Sequence, residues 1–229
     1  MDEFLSLHDA EHIAEEHAPV TPPGYMRVFT GMIREPEKTL ASAIAHPIMS
    51  YAHAFAAAGG VYWAYVLTVI NASGAGFTLP VLLGLIVLLG IPAGVAYLYA
   101  AAIPAQWACE ILGGTATRKQ VRMALAYAGV PGILALALFG LPRLVLFGQS
   151  LFMPERAWMN THPVISWVLW FGDALCFAWS VMLLGRAFKM MNRFSAARAA
   201  AALILPLGPI ILFGLLMLAI RSGEALRGF

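Results

Sequence analysis

AFAAAGGVYWAYVLTVINASGAGFTLPVLLGLIVLLGIPAGVAYLYAAAIPAQWAC (Ala54–Cys109) contains no Asp, Glu, Lys, Arg or His. As one α-helix, these 56 residues would run roughly 84 Å at ~1.5 Å per residue, against a hydrocarbon core of about 30 Å. The stretch therefore reads as two membrane spans joined by a turn, and Asn71-Ala-Ser-Gly-Ala-Gly76 supplies the turn chemistry. Lipid, not water, surrounds most of this chain.

The composition agrees. Of 229 residues, 61% are hydrophobic and 11% charged, with mean hydropathy +0.78. Ordinary soluble domains carry about 25% charged residues. A net charge of +2 gives no basis for nucleic-acid binding. Cys109 and Cys176 show no CxxC, haem-attachment or zinc spacing and read as small membrane-buried residues. The start, MDEFLSLHDAEHIAEEH, lacks a basic n-region and an apolar h-region, so no cleavable signal peptide is expected.

Working outward, five apolar segments reach the ~20 residues a span needs. They are about Tyr51–Ile70, Leu79–Ala102 running on toward Ile111, Met123–Leu141, Val164–Leu184 and Ala199–Ile220. Before them, residues 1–23 form a polar tail ending in Pro22 and Pro23. Residues 24–49 carry Tyr25, Val28, Phe29, Met32 and Ile33 at helical spacing, then Pro36, then Leu40 and Ile44. Two short amphipathic helices fit, lying on the membrane surface or docked on the protein's own loops. The expected fold is all-α: a five-span membrane bundle over 50–221, preceded by amphipathic membrane-surface helices and followed by a short external tail, 222–229.

Loop charges orient the bundle. With five spans, one side carries Arg27, Arg34, Lys38, Arg118, Lys119, Arg122, Arg186, Lys189, Arg193 and Arg198; the other carries Arg143, Arg156, Arg221 and Arg227. Basic loops face the cytoplasm. The expectation is a cytoplasmic N-terminus and an external C-terminus, with the Ala- and Gly-rich composition pointing to a bacterial inner membrane. Gly90 and Gly94 form a GxxxG beside Pro92, and Ala56 and Gly60 give a looser version in the first span. Such spacing lets helix backbones approach closely.

Asp173 is the sharpest polar feature, at the middle of VISWVLWFGDALCFAWSVMLL. A carboxylate there costs about 3 kcal/mol even on the lenient insertion scale, so it must face the bundle interior or find a donor. Ser166 and Ser180 lie seven residues to either side and extend a polar stripe. An ion, proton or lipid-headgroup site and a structural hydrogen bond are both open. Arg143 follows Pro142 at the apparent outer end of the third span and reads as a snorkelling interfacial arginine; pairing with Asp173 would require adjacent helices, and the apparent depths differ. Glu110 reads as an interface anchor paired with Arg118 or Lys119. His8, His12 and His17 stand among acids, but HIAEEH is not the HxxEH zinc signature, and no metal is expected. Gly148-Gln149-Ser150 is no nucleophile elbow, and no Walker loop or dinucleotide fingerprint occurs. No catalytic constellation and no cofactor are expected.

Three stretches together carry a resemblance. FTGMIREPEKTLASAIAHPI (29–48) precedes the first span, GGTATRKQVRMALAYAGVPGIL (113–134) joins the second and third, and LGRAFKMMNRFSAARAAAALILPL (184–207) leads into the fifth. Their order resembles the Yip-domain family over roughly residues 28–220, in its prokaryotic branch; the Asp-Leu-Tyr-Gly-Pro signature of the eukaryotic branch is absent. The resemblance implies a five-span bundle with a cytoplasmic N-terminus and supplies no catalytic residue.

The functional expectation is a non-enzymatic membrane protein acting through partners, as a scaffold or accessory subunit. Its partners would be membrane lipids and other membrane proteins or further copies of itself. Its cytoplasmic interaction surface would include Arg118, Lys119, Arg122, Arg186, Lys189 and Arg193. The alternative is a transporter or lipid-handling permease component centred on Asp173.

Overall fold

A computed structural model of the chain describes residues 24–155 and 157–206. The expected tails 1–23 and 222–229, with His8, His12 and His17, lie outside the described residues. All regular structure among the described residues is helical.

Two short helices, α1 (Tyr25–Arg34) and α2 (Pro36–Ala45), lead into α3 (Met49–Ile70). Proline sets these joints. Glu35 (φ −137°, ψ 63°) and His46 (φ −124°, ψ 77°) each precede a proline and leave the helical region, because the following pyrrolidine ring crowds an α conformation. Pro36 then opens α2, where its missing N–H costs nothing. His162 (φ −136°) before Pro163 repeats the device farther on.

α3 ends in a turn with Ala72 at φ 50° and Gly76 at φ 97°. α4 (Leu79–Ile111) runs back across as a single 33-residue helix despite Pro92 and Pro104. Gly113 (φ 82°) turns the chain again. Thr117 caps α5 (Arg118–Ala128) in a reciprocal capping box with Gln120. The third crossing is pieced together from α5, α6 (Val130–Ala135), a π-turn (Leu136–Gly140), α7 (Leu141–Phe147) and a 3₁₀ turn (Gly148–Phe152). After α8 (Ala157–Thr161), α9 (Pro163–Asn192) returns the chain and stops at Arg193 in the left-handed region. Ser195 caps α10 (Ala196–Ile204).

Among the described residues, four helical segments, Met49–Ile70, Leu79–Ile111, Arg118–Phe152 and Pro163–Asn192, are long and apolar enough to cross a membrane. The expected fifth span begins with α10; its remainder lies outside the described residues. The chain is an all-α membrane bundle. Its outward surface is apolar, as Leu88, Val145, Trp167 and Phe171 illustrate, and this suits lipid.

The third span differs most from expectation. It does not stop at Leu141. Pro142 would clash with the carbonyl one turn back in a regular helix. The π-turn ends just before it, and widening the helix there carries the chain through to Phe147.

The ends of the bundle are tied separately. At one end, the Gly74 N–H donates to the Phe152 carbonyl at 2.8 Å and Gln149 donates to the Phe77 carbonyl at 2.9 Å. At the other, the basic end, the Ala116 N–H donates to Asn192 Oδ1 at 3.0 Å. Val28, Met32, Leu40 and Ile44 of α1 and α2 are buried in one cluster with Tyr51, Met123, Tyr127 and Phe188. The amphipathic pair thus docks its apolar stripe on the bundle, while Tyr25, Met26 and Ile33 stay exposed at its edge.

Candidate functional site

The helix crossing of α3 and α4 sets the scaffold. A methyl group added to Gly60 would strike the Gly90 carbonyl and Gly94; one added to Gly94 would strike the Ala56 carbonyl and Gly60. The two backbones touch where the sequence places its small residues, and only glycine permits that approach.

The polar centre joins α7 to α9. Asp173 of α9 accepts a hydrogen bond on Oδ2 from Arg143 Nη2 of α7 at 2.7 Å. Arg143 is 0% exposed and Asp173 6%. The snorkelling reading of Arg143 is overturned. It assumed that the span ended at Pro142, whereas the chain continues helically past it and carries Arg143 inside. Trp170, one turn before Asp173 on the same helix face, stacks on the guanidinium at 4.7 Å. Gly172 leaves room for the Phe139 ring of the π-turn, and the Tyr65 hydroxyl donates to the Gly140 carbonyl at 3.0 Å.

The pair is monodentate. Among the described residues, Arg143 Nε and Nη1 and Asp173 Oδ1 are buried without a hydrogen-bond partner, although a guanidinium can offer a carboxylate two parallel bonds. Opposite charges cancel here, and polar capacity is left over. Ser166 and Ser180 do not join the site. A seven-residue offset is about 10 Å along a helix. Ser166 is buried and donates to the His162 carbonyl at 2.9 Å, one turn back; Ser180 is half-buried.

The six basic candidates lie at the basic end, in four different settings. Arg186 Nη1 pairs with Glu37 of α2 at 2.8 Å. Arg118 Nε donates to Gln106 Oε1 at 2.8 Å, and Gln106 Nε2 donates to Glu110 at 2.6 Å, so the expected Glu110–Arg118 pairing runs through a glutamine. Arg122 turns inward and lies 4.2 Å over the Tyr99 ring, whose hydroxyl is 2.8 Å from His53 Nε2. Lys119, Lys189 and Arg193 stand exposed. Lys38 and Glu35, both exposed, pair at 2.8 Å. The Lys38 ammonium, by hydrogen bond and then by charge, holds the Glu35 carboxyl below its usual range and is itself raised.

The sequence offers Arg143 as a partner for Asp173 only if their helices are adjacent, and its apparent depth argues against the pairing that the structure shows; nothing in the sequence singles out Trp170 or Tyr65 as companions. The Gly148-Gln149-Ser150 turn was the available signal, since it marks an end for the third span beyond Arg143. Among the described residues, no three His, Cys, Asp or Glu side chains come together as a metal site.

A family model, the Yip1 domain, matches residues 22–218, close to the stretch singled out in the sequence. No curated protein and no solved structure matches the chain.

Proposed function

The chain belongs to the Yip1-domain family, a family of membrane proteins, and from that premise we propose that it is a non-enzymatic scaffold or accessory subunit working through partners at its basic end. The observation that carries this reading is the construction of that end. α1 and α2 are packed on the bundle and pinned by Glu37–Arg186, the Asn192–Ala116 bond locks the two basic connections together, and Lys119, Lys189 and Arg193 remain exposed on the result. Such a surface is preorganised for an acidic partner, and electrostatic complementarity favours fast, selective encounter.

Asp173 is the centre of the permease alternative. Its charge is met by Arg143, which supports a role in holding α7 against α9. We place the basic end in the cytoplasm of a bacterial cell, because basic connections are retained there.

The test is mild extraction of the full-length protein followed by measurement of particle mass. A stoichiometric partner, or a homo-oligomer, is expected. Triple charge reversal (Lys119→Glu, Lys189→Glu, Arg193→Glu) should release it without loss of helicity. A lone monomer from native membranes would refute the reading.

A further inference from the structure

A cleft of about 660 Å³ opens between α1, α2 and the start of α3, closed behind by α5. That volume lies within the range of small-molecule sites, about 300–1,000 Å³. Its lining is divided. Val28, Tyr51 and Tyr127, each buried but for an edge, give an apolar, aromatic floor, and Arg27, Arg34, Lys38 and the acidic Glu35 stand at the exposed rim.

Arg27 and Arg34 are seven residues apart on α1, so they share one face, about 10 Å apart along the axis. Among the described residues neither makes an ion pair, whereas Lys38 is engaged by Glu35. The cleft also sits at a defined depth. Tyr51 belongs to the first turn of α3, the first membrane-crossing helix, so the floor lies where a span enters lipid and the rim lies outside it. Tyrosine suits this boundary.

We propose that this cleft binds the headgroup of an anionic glycerophospholipid: the phosphate meets Arg27 and Arg34, and the glycerol and first methylenes lie on Val28, Tyr51 and Tyr127. A free phosphate compound shares the headgroup's charge chemistry but leaves the apolar floor uncovered. A lipid satisfies both halves, and the exposed apolar edge of Tyr25, Met26 and Ile33 lies on the same helix pair. Charge attraction between basic side chains and anionic lipid then orients the amphipathic segment on the bilayer.

The experiment uses the full-length protein in phosphatidylcholine nanodiscs containing phosphatidic acid with a diazirine at the head of one acyl chain. Adducts are mapped by peptide mass spectrometry. They are expected on the peptides holding Tyr51 and Tyr127. The double variant Arg27→Gln/Arg34→Gln should lose at least about tenfold of the adduct, since each basic residue near the surface adds attraction of about fivefold. Arg198→Gln, exposed at the same end but off the cleft, should label as the parent does, and an unchanged melting temperature shows that each variant folds. Equal labelling by diazirine phosphatidylcholine, equal loss in Arg198→Gln, or no loss in Arg27→Gln/Arg34→Gln would overturn the proposal. Full displacement by excess inorganic phosphate would overturn it too, by identifying a free anion as the ligand.

Discussion

Breaking the Arg143–Asp173 pair from either side should have unequal consequences. Asp173→Leu leaves a guanidinium that is 0% exposed and cannot shed its proton. An uncompensated buried charge costs about 3–5 kcal/mol. Arg143→Met leaves a carboxyl instead, and a carboxyl can take up a proton and become neutral. Its expected cost is that of an unsatisfied buried polar group, about 1–3 kcal/mol. The double variant Arg143→Met/Asp173→Leu removes both charges together with the three polar atoms that lack partners, Arg143 Nε and Nη1 and Asp173 Oδ1. Replacing a buried pair by apolar groups of similar volume is near neutral, or stabilising by about 1–4 kcal/mol. The lipid reference state works against large values: unfolded helices in a membrane also find partners, and interhelical hydrogen bonds there average about 0.6 kcal/mol. Complete burial and the Trp170 stack argue for the larger figures here, since an unfolded helix could let this arginine snorkel whereas the bundle does not. Reversible unfolding in mixed dodecylmaltoside–SDS micelles, followed by circular dichroism, measures all three. The order expected is Asp173→Leu least stable, Arg143→Met intermediate, double variant at or above the parent. A double variant whose loss equals the sum of the two single losses would refute the pairing.

The α3–α4 crossing should reject one methyl group and tolerate another. Gly94→Ala drives a Cβ into the Ala56 carbonyl and should cost about 1–3 kcal/mol, while Gly84→Ala, with open space around it, should be neutral or stabilising by about 0.5–1 kcal/mol; the same unfolding assay reads both, and equal effects would count against the close approach. The Glu35–Lys38 pair predicts a pH effect of known sign. Glu35 is lowered by Lys38, so the contribution of the pair is present above the ordinary carboxylate range and fades as pH falls through Glu35's own lowered value. Lys38→Ala should move the Glu35 titration upward in carboxyl ¹³C NMR, and an unmoved curve would show that the two side chains do not meet in solution.

Much of the architecture was legible because lipid imposes simple rules. A charge-free stretch too long for one crossing had to fold back, and a bilayer core accepts only helices or closed barrels, so α3 and α4 follow from Ala54–Cys109 almost directly. The proline joints at Glu35 and His46 were legible for a local reason, the steric bias before proline. Whether α1 and α2 lay on lipid or on the protein was not legible, since an amphipathic stripe records only that something apolar covers it. The end of the third span is hidden for the opposite reason: proline as a rule ends a helix, and at Pro142 a π-turn evades the rule. A stronger constraint was already in the sequence. Asp173 is the one acid within the fourth span, and Arg143 is the one base between Arg122 and the Gly148 turn. An isolated charge in hydrocarbon is expensive whatever its sign, and two of opposite sign remove most of each other's cost by meeting. That energetic demand outweighs a depth inferred from where a helix was assumed to stop. Pairing Asp173 with Arg143 requires the third helix to continue beyond Pro142, and α7 does run helically to Phe147.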